Sequence, residues 1–256
     1  MEFAQVKKYW EDRASTDNSA QSTTQDYYLR EIEFRVISEL IQRCRPKCIM
    51  DVGCGDARTT AKLATVFKNI SFIGVDYSES MVKNSLGNIN LAGIENLKVI
   101  LCDVCQSLPC KDLEMVYSTR CLINLPTWEL QQIALANIAD SLIVNGHYVM
   151  IENFMEGHNN FNHVRDSFGL PEIPVREHNL YFNRTKLLNF VSKQFEILEE
   201  VNISSTYYLV SRVIYSKICQ GLGTSPDYFD DHHRFAAQLP FSGEFGPVRM
   251  IYLRKK

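Results

Sequence analysis

Gly53 and Gly55 stand two positions apart where an apolar run, Cys48–Val52, gives way to polar residues, and Asp51 belongs to the end of that run. Glycines there let the backbone turn sharply and approach a ligand without Cβ interference. The helical pattern that follows offers unpaired amide groups at its N-terminus. Asp76 lies 25 residues beyond Asp51, at the tip of the next apolar run. A carboxylate so placed accepts hydrogen bonds from both hydroxyls of a ribose. The dinucleotide fingerprint also needs a glycine five positions after the first, for close helix–strand packing. Arg58 occupies that position. No Gly-Lys-Ser/Thr follows, so the phosphate-cradling P-loop fails as well. Asp51, just before the loop, suits a ligand bearing positive charge rather than a pyrophosphate.

The elements that position these residues read as an alternation of strands and helices. Cys48–Val52, Ser71–Val75, Leu97–Cys102, Met115–Ser118 and Tyr148–Ile151 are apolar runs of strand length. Between them lie helical patterns near 57–68, from a Ser78 cap to about Leu91, and one carrying Trp128, Leu135, Ile138 and Leu142 on one stripe, stopping at Asn145-Gly146. This rhythm predicts an α/β fold with a mostly parallel sheet and helices on both faces. Upstream, Leu29, Ile32, Val36 and Leu40 form a helical stripe that ends before Arg45-Pro46. Residues 14–26 read as a loop, with Thr23 and Asp26 at capping-box spacing. After Phe154 the rhythm breaks: residues 155–182 show no clear period, Asn183 caps a helix through Val191, and Phe195–Ile203 reads as a strand. Residues 207–245 resist assignment, and Val248–Leu253 is a closing strand.

Three segments carry a family resemblance. Asp51-Val52-Gly53-Cys54-Gly55 resembles motif I of class I S-adenosylmethionine-dependent methyltransferases, Ile73-Gly74-Val75-Asp76-Tyr77-Ser78 resembles motif II, and Leu101-Cys102-Asp103-Val104 resembles motif III. Motif I often ends in a further glycine where this chain has Ala57. The resemblance implies a Rossmann-like fold with a seven-stranded sheet, one strand antiparallel near the C-terminus, and S-adenosyl-L-methionine as cofactor. It places Asp51, Gly53, Cys54 and Gly55 around the methionine part of that cofactor and Asp76 on its ribose. Tyr77, Ser78 and Met81 flank the ribose and adenine, and Cys102, Asp103 and Val104 form the adenine edge. Ser118 and Thr119 line the sulfonium side; Arg120 orients the methionine carboxylate or a substrate. One methyltransferase domain over 1–256 is expected, with a helical cap at 1–44, a cofactor-binding core at 45–154 and substrate-lid insertions at 155–182 and 207–245.

Methyl transfer from a sulfonium is an in-line displacement that chiefly needs alignment and exclusion of water. A hydroxyl nucleophile also needs a base. Ligands of an open α/β sheet bind beyond the carboxyl ends of its strands, which selects Asn124, Glu152, Asn153, His158, His163 and His178, with Tyr181 in a polar-aromatic wall. His178 is the first candidate base and His163 the second. Asp230-Asp231-His232-His233 is read as a solvated turn and Cys102, Cys105 and Cys110 as thiols, so no metal is expected.

The 256 residues carry a formal charge of −3 without a basic run, which argues against nucleic acid as partner. No Asn/Asp-Pro-Pro-Tyr follows the fourth strand, as adenine and glutamine N-methyltransferases require, and Pro109-Cys110 follows the third strand, not the fourth as in cytosine C5 enzymes. The acceptor expected is therefore a small molecule, modified at O or N. Arg120–Leu125, Gly169-Leu170-Pro171 and Pro174-Val175-Arg176 resemble bacterial methyltransferases acting on sugars or other biosynthetic intermediates. A protein or RNA acceptor, or an inactive cofactor-binding partner of another enzyme, stand as alternatives. The absence of a signal-like N-terminus and the eight cysteines without an export signal point to a cytoplasmic protein. Oligomeric state is left open.

Overall fold

Every run of apolar residues between Cys48 and Asn153 that reads as a strand is one in the computed structural model, which describes residues 1–17, 19 and 24–256. The chain opens with α1 (Phe3–Thr16) and α2 (Tyr27–Cys44). Then β1 (Cys48–Val52), α3 (Arg58–Val66), β2 (Ser71–Asp76), α4 (Glu79–Ala92), β3 (Leu97–Leu101), β4 (Leu113–Thr119), α5 (Trp128–Ser141) and β5 (Leu142–Asn153) alternate. They are followed by α6 (Met155–Ser167), α7 (Arg184–Val191), β6 (Phe195–Val201), the short α8 (Ser205–Tyr208), a π-helical stretch over Leu209–Ile214, α9 (Tyr215–Leu222), α10 (Asp231–Ala236) and β7 (Val248–Lys255).

The seven strands form one sheet in the order β3-β2-β1-β4-β5-β7-β6. The pairs among β1 to β5 are parallel, and β7 runs antiparallel to both β5 and β6. Alternation along each strand sends side chains to opposite faces. Met50, Val52 and Val116 pack against α5 and α7 on one side; Ile49, Met115 and Tyr117 meet α2 and α3 on the other. The strand order reverses direction between β1 and β4, and such a reversal opens a crevice at the carboxyl ends of the strands. Among the described residues no helix is long and apolar enough to cross a membrane.

Several sequence expectations need correction. Leu142 does not close a helical stripe: α5 stops at Ser141, and Leu142 begins β5, which runs through Asn145-Gly146. Asn145 takes a left-handed conformation there (φ 64°). The periodless stretch after Phe154 begins with α6, whose inward face is built from Gly157, His158, Phe161, Asn162 and Arg165. Residues 207–245 contain the π-helical stretch and helices of eight and six residues. Asp26 is itself the N-cap of α2, its carboxylate accepting from the Leu29 amide at 3.1 Å; Thr23 lies outside the described residues. The loop expected from residue 14 starts later, because α1 continues to Thr16.

Candidate functional site

The β1–α3 turn forms because its backbone amides find an acceptor on the neighbouring strand. Gly53 and Cys54 donate to the Val75 carbonyl at 2.8 and 3.0 Å. Gly53, Gly55 and Ala57 take left-handed φ angles of 74°, 56° and 56°. Ala57 thus stands where glycine is favoured. Relief of about 1–2 kcal/mol of Cβ strain outweighs about 0.8 kcal/mol for a lost buried methyl. Ala57→Gly should therefore raise unfolding stability by a few tenths to about 1 kcal/mol, read as a later denaturant midpoint with unchanged slope.

Two carboxylates flank this turn. Asp76, at the end of β2, accepts from the Gly55 amide at 2.8 Å and the Ser78 amide at 3.0 Å. Burial pushes its carboxyl up to about 6, against the pull of those amides. Asp51, at the end of β1, accepts from the Tyr117 hydroxyl at 2.9 Å and from the Thr60 hydroxyl through the same oxygen, Oδ2. Burial raises it to about 7. Its other oxygen, Oδ1, is buried and has no hydrogen-bond partner among the described residues, and the same holds for the Tyr77 hydroxyl. Buried polar atoms rarely stand alone in a native fold, so such orphans point to a missing ligand.

These residues line one end of a cavity of about 350 Å³ at the strand reversal. Asp51, Gly53, Cys54, Gly55, Asp76, Tyr77 and Met81 form that end; Thr119, Arg120, Asn124, Asn153, His178 and Tyr181 line the rest with residues discussed below. Helix α1 crosses the mouth. Lys7 pairs with Asp103 at 2.5 Å, Glu11 accepts from the Ser78 hydroxyl at 2.6 Å and the Ser80 amide at 3.2 Å, and Trp10 Nε1 donates to Asn124 Oδ1 at 3.1 Å. Tyr9 stacks on His178 with ring centroids 4.4 Å apart. Burial, with Arg176 and Arg13 nearby, holds the His178 imidazole below its usual range, hence neutral at pH 7.

Eight of the residues expected at the site lie outside the cavity wall. Ser78 caps α4, accepting from the Met81 amide at 3.1 Å. Asp103 is engaged by Lys7 and by the Cys105 amide at 2.9 Å, and its neighbours Cys102 and Val104 face the core under α5. Ser118 is fully buried, bonded to the Tyr148 hydroxyl at 2.8 Å and to Glu152 at 3.0 Å. Glu152 is also fully buried and accepts from the amides of Cys121, Leu122 and Ile123 at 3.2, 3.0 and 3.3 Å. It anchors the loop after β4 and does not line the cavity. His158 packs beside Asn162 and the edge of Tyr181. His163 is exposed on the outer face of α6, which removes it as the second candidate base.

The family model described as "Methyltransferase domain" matches residues 46–169. Residues 46–169 thus match a methyltransferase domain. The chain is 23% identical over 179 residues to "Malonyl-[acyl-carrier protein] O-methyltransferase 2" of Ilyobacter polytropus, covering 69% of this chain and 65%, under two thirds, of that protein's length. Among solved structures it resembles magnesium protoporphyrin IX methyltransferase (ChlM) of Synechocystis with bound S-adenosylhomocysteine: TM-score 0.65, 14% identity, 100% of each chain covered. It also resembles the N-methyltransferase NodS of Bradyrhizobium japonicum in complex with S-adenosylhomocysteine: TM-score 0.61, 10% identity, 98% of each chain covered.

Sequence reasoning missed much of the methyltransferase's cavity wall. Trp10, Asp26, Arg30, Glu33, Arg176, Tyr208, Arg212 and Tyr228 all contribute. One signal was available: Glu33 sits four residues after Leu29, on the apolar stripe of α2, and is 2% exposed. A charged group buried on such a stripe needs a partner, and Glu33 pairs with Arg120, Nε to Oε1 at 2.7 Å. Arg212 and Tyr228 carry no local signal.

Proposed function

We propose that this chain transfers the methyl group of S-adenosyl-L-methionine to a nucleophilic oxygen or nitrogen of a small molecule. The observation that carries this reading is the partnerless, buried Asp51 Oδ1 at a glycine turn, with Asp76 at the next strand tip. An acid that burial has pushed up to about 7 is stabilised as a carboxylate by a cationic ligand. Bound there, S-adenosylmethionine supplies an electrophilic methyl on a sulfonium. Asp76 receives the ribose hydroxyls, with Tyr77 and Met81 against the ribose and adenine. Arg30, which lines the cavity within electrostatic reach of Asp56, receives the methionine carboxylate. Thr119, Arg120 and Cys121 face the sulfonium side. Residues 45–154 act as the donor-binding core, and α1 with the segments 155–182 and 207–245 covers the acceptor and keeps water out.

S-Adenosylhomocysteine at a hundredfold excess over its dissociation constant should stabilise the protein by about 2.7 kcal/mol, raising the melting temperature by about 5–10 °C. The gain should fade toward acid pH. Burial raises Asp76 to about 6, so its contribution to the stability of the free protein is fully present below the ordinary carboxylate range and lost as pH rises through about 6. Ligand binding follows the opposite course, because the ribose needs the ionised form. A large shift at pH 8 that shrinks at pH 5, with none from NAD, is the expected pattern; a shift from NAD alone would remove the reading.

A further inference from the structure

The acceptor end of the cavity is lined by arginines that the donor does not need. Arg120 follows β4 directly and is held at φ 48°, a left-handed conformation that a long side chain adopts only under constraint from its surroundings. Its guanidinium pairs with Glu33 and reaches the Thr24 hydroxyl at 3.4 Å. Arg212 lies in the π-helical stretch, a rare geometry that recurs at functional sites. It donates to Asp26 Oδ2 at 2.5 Å and lies 4.1 Å over the Tyr228 ring. Tyr208 stands within electrostatic reach of both guanidiniums. Arg176, exposed at the rim, has no ion-pair partner among the described residues. Of Arg120, Arg176 and Arg212, the first and last pair with Glu33 and Asp26, and the charge of Arg176 is left for a ligand. Each paired arginine keeps N–H groups beyond those its carboxylate uses, and the pairing fixes the fork in place.

Among the described residues, the same end has no oriented base. Asp26 and Glu33 are each committed to an arginine. His178 stacks on Tyr9 and meets the edge of Trp10, with no carboxylate among the described residues bonded to its ring. Activated hydroxyl nucleophiles depend on a base that a third group orients. An acceptor that arrives already ionised needs none.

We propose that the acceptor is a carboxylic acid, bound as its carboxylate between Arg120 and Arg212 with Arg176 at the mouth, and that the product is its methyl ester. This rests on the methyl-transfer reading above. One carboxylate oxygen forms the new O–CH3 bond as the S–CH3 bond breaks, and the electron pair of that bond stays on sulfur. The negative carboxylate and positive sulfonium become a neutral ester and a neutral thioether, and no proton is released.

The test titrates protein saturated with S-adenosylhomocysteine with aliphatic mono- and dicarboxylates of graded length, each against its amide and its alcohol. The best acid should bind at least about tenfold tighter than its neutral counterparts, as expected where charged hydrogen bonds are lost. Arg176→Ala, a rim change that spares the fold, should weaken the acid about tenfold and leave S-adenosylhomocysteine affinity unchanged; Arg212→Lys should weaken it further. With methyl-labelled S-adenosylmethionine, the label on that acid should be released as volatile methanol by mild alkali. Equal binding of amide or alcohol, no acid binding by protein that holds S-adenosylhomocysteine, or an alkali-stable product would each overturn the proposal while leaving methyl transfer standing. Failure to bind S-adenosylhomocysteine at all would instead overturn the methyl-transfer reading.

Discussion

Gly53→Ala should unfold the donor end of the site. A Cβ at this position would lie 2.2 Å from Cys121 Sγ and 2.6 Å from Cys121 Cβ. Neither atom has room to yield, because Cys121 sits on the loop that Glu152 pins through three amides. The φ of 74° adds a second cost, about 1–2 kcal/mol for a Cβ in the left-handed region. Overpacking contributes about 1–3 kcal/mol. Together they amount to about 2–5 kcal/mol, in the range seen only for a few mechanisms of destabilisation. Denaturant unfolding should show a much earlier midpoint, and the variant should bind S-adenosylhomocysteine at least about a hundredfold more weakly. A variant with native stability and affinity would mean that the turn and the loop after β4 move apart freely.

Glu152→Ala should be comparably severe for a different reason. The carboxylate is fully buried and serves the amides of Cys121, Leu122 and Ile123 and the Ser118 hydroxyl. Removing it strands four donors, those of Leu122, Ile123 and Ser118 in buried surroundings. Leaving a buried donor unmatched costs about 1–3 kcal/mol each, less what relaxation recovers, and loss of a buried charged partner typically costs about 3–5 kcal/mol. The loss of about 3–5 kcal/mol expected on that basis should be partly restored in Glu152→Gln, whose amide oxygen still accepts. If Ala and Gln variants unfold alike, packing and not hydrogen bonding is the contribution that matters. Burial pushes Glu152 up to about 7, against the pull of its donors. Because ionising a buried acid costs more in the fold than in the unfolded chain, its contribution to stability is fully present below its unfolded value and lost as pH rises through about 7.

Legibility in the sequence followed the reach of the signal. Strands β1 to β5 and the glycine turn were readable because periodicity and turn chemistry are local. Asp51 and Asp76 could be placed for the same reason, since each ends a strand. Helix α6 escaped because its buried face uses His158, Asn162 and Arg165, which satisfy one another or backbone carbonyls; Asn162 holds Ile173 through both its amide and its carbonyl. The π-helical stretch shifts the period that a helix search seeks. Arg212 meets Asp26 across 186 positions of sequence, and no local pattern encodes that. Glu152 and Ser118 were placed at the correct strand ends, yet their side chains turn inward, a choice decided by the four donors around the carboxylate.

The two ends of the cavity are built from different material. Asp51, Gly53, Gly55 and Asp76 belong to strands or to the turn between them, and their positions are fixed by the core. Ile173, Arg176, His178, Tyr208, Arg212 and Tyr228 come from connections after β5 and between β6 and β7 that contribute no strand. The first of these is held by contacts to helices and strand ends, among them the Leu180 amide on the Ile123 carbonyl, Asn162 on Ile173 and the Phe154–Phe182 bridge. Variation in such connections is tolerated far better than variation in the sheet. Descendants of this chain can therefore exchange one acceptor for another by rewriting two surface segments, while inheriting the donor machinery unaltered.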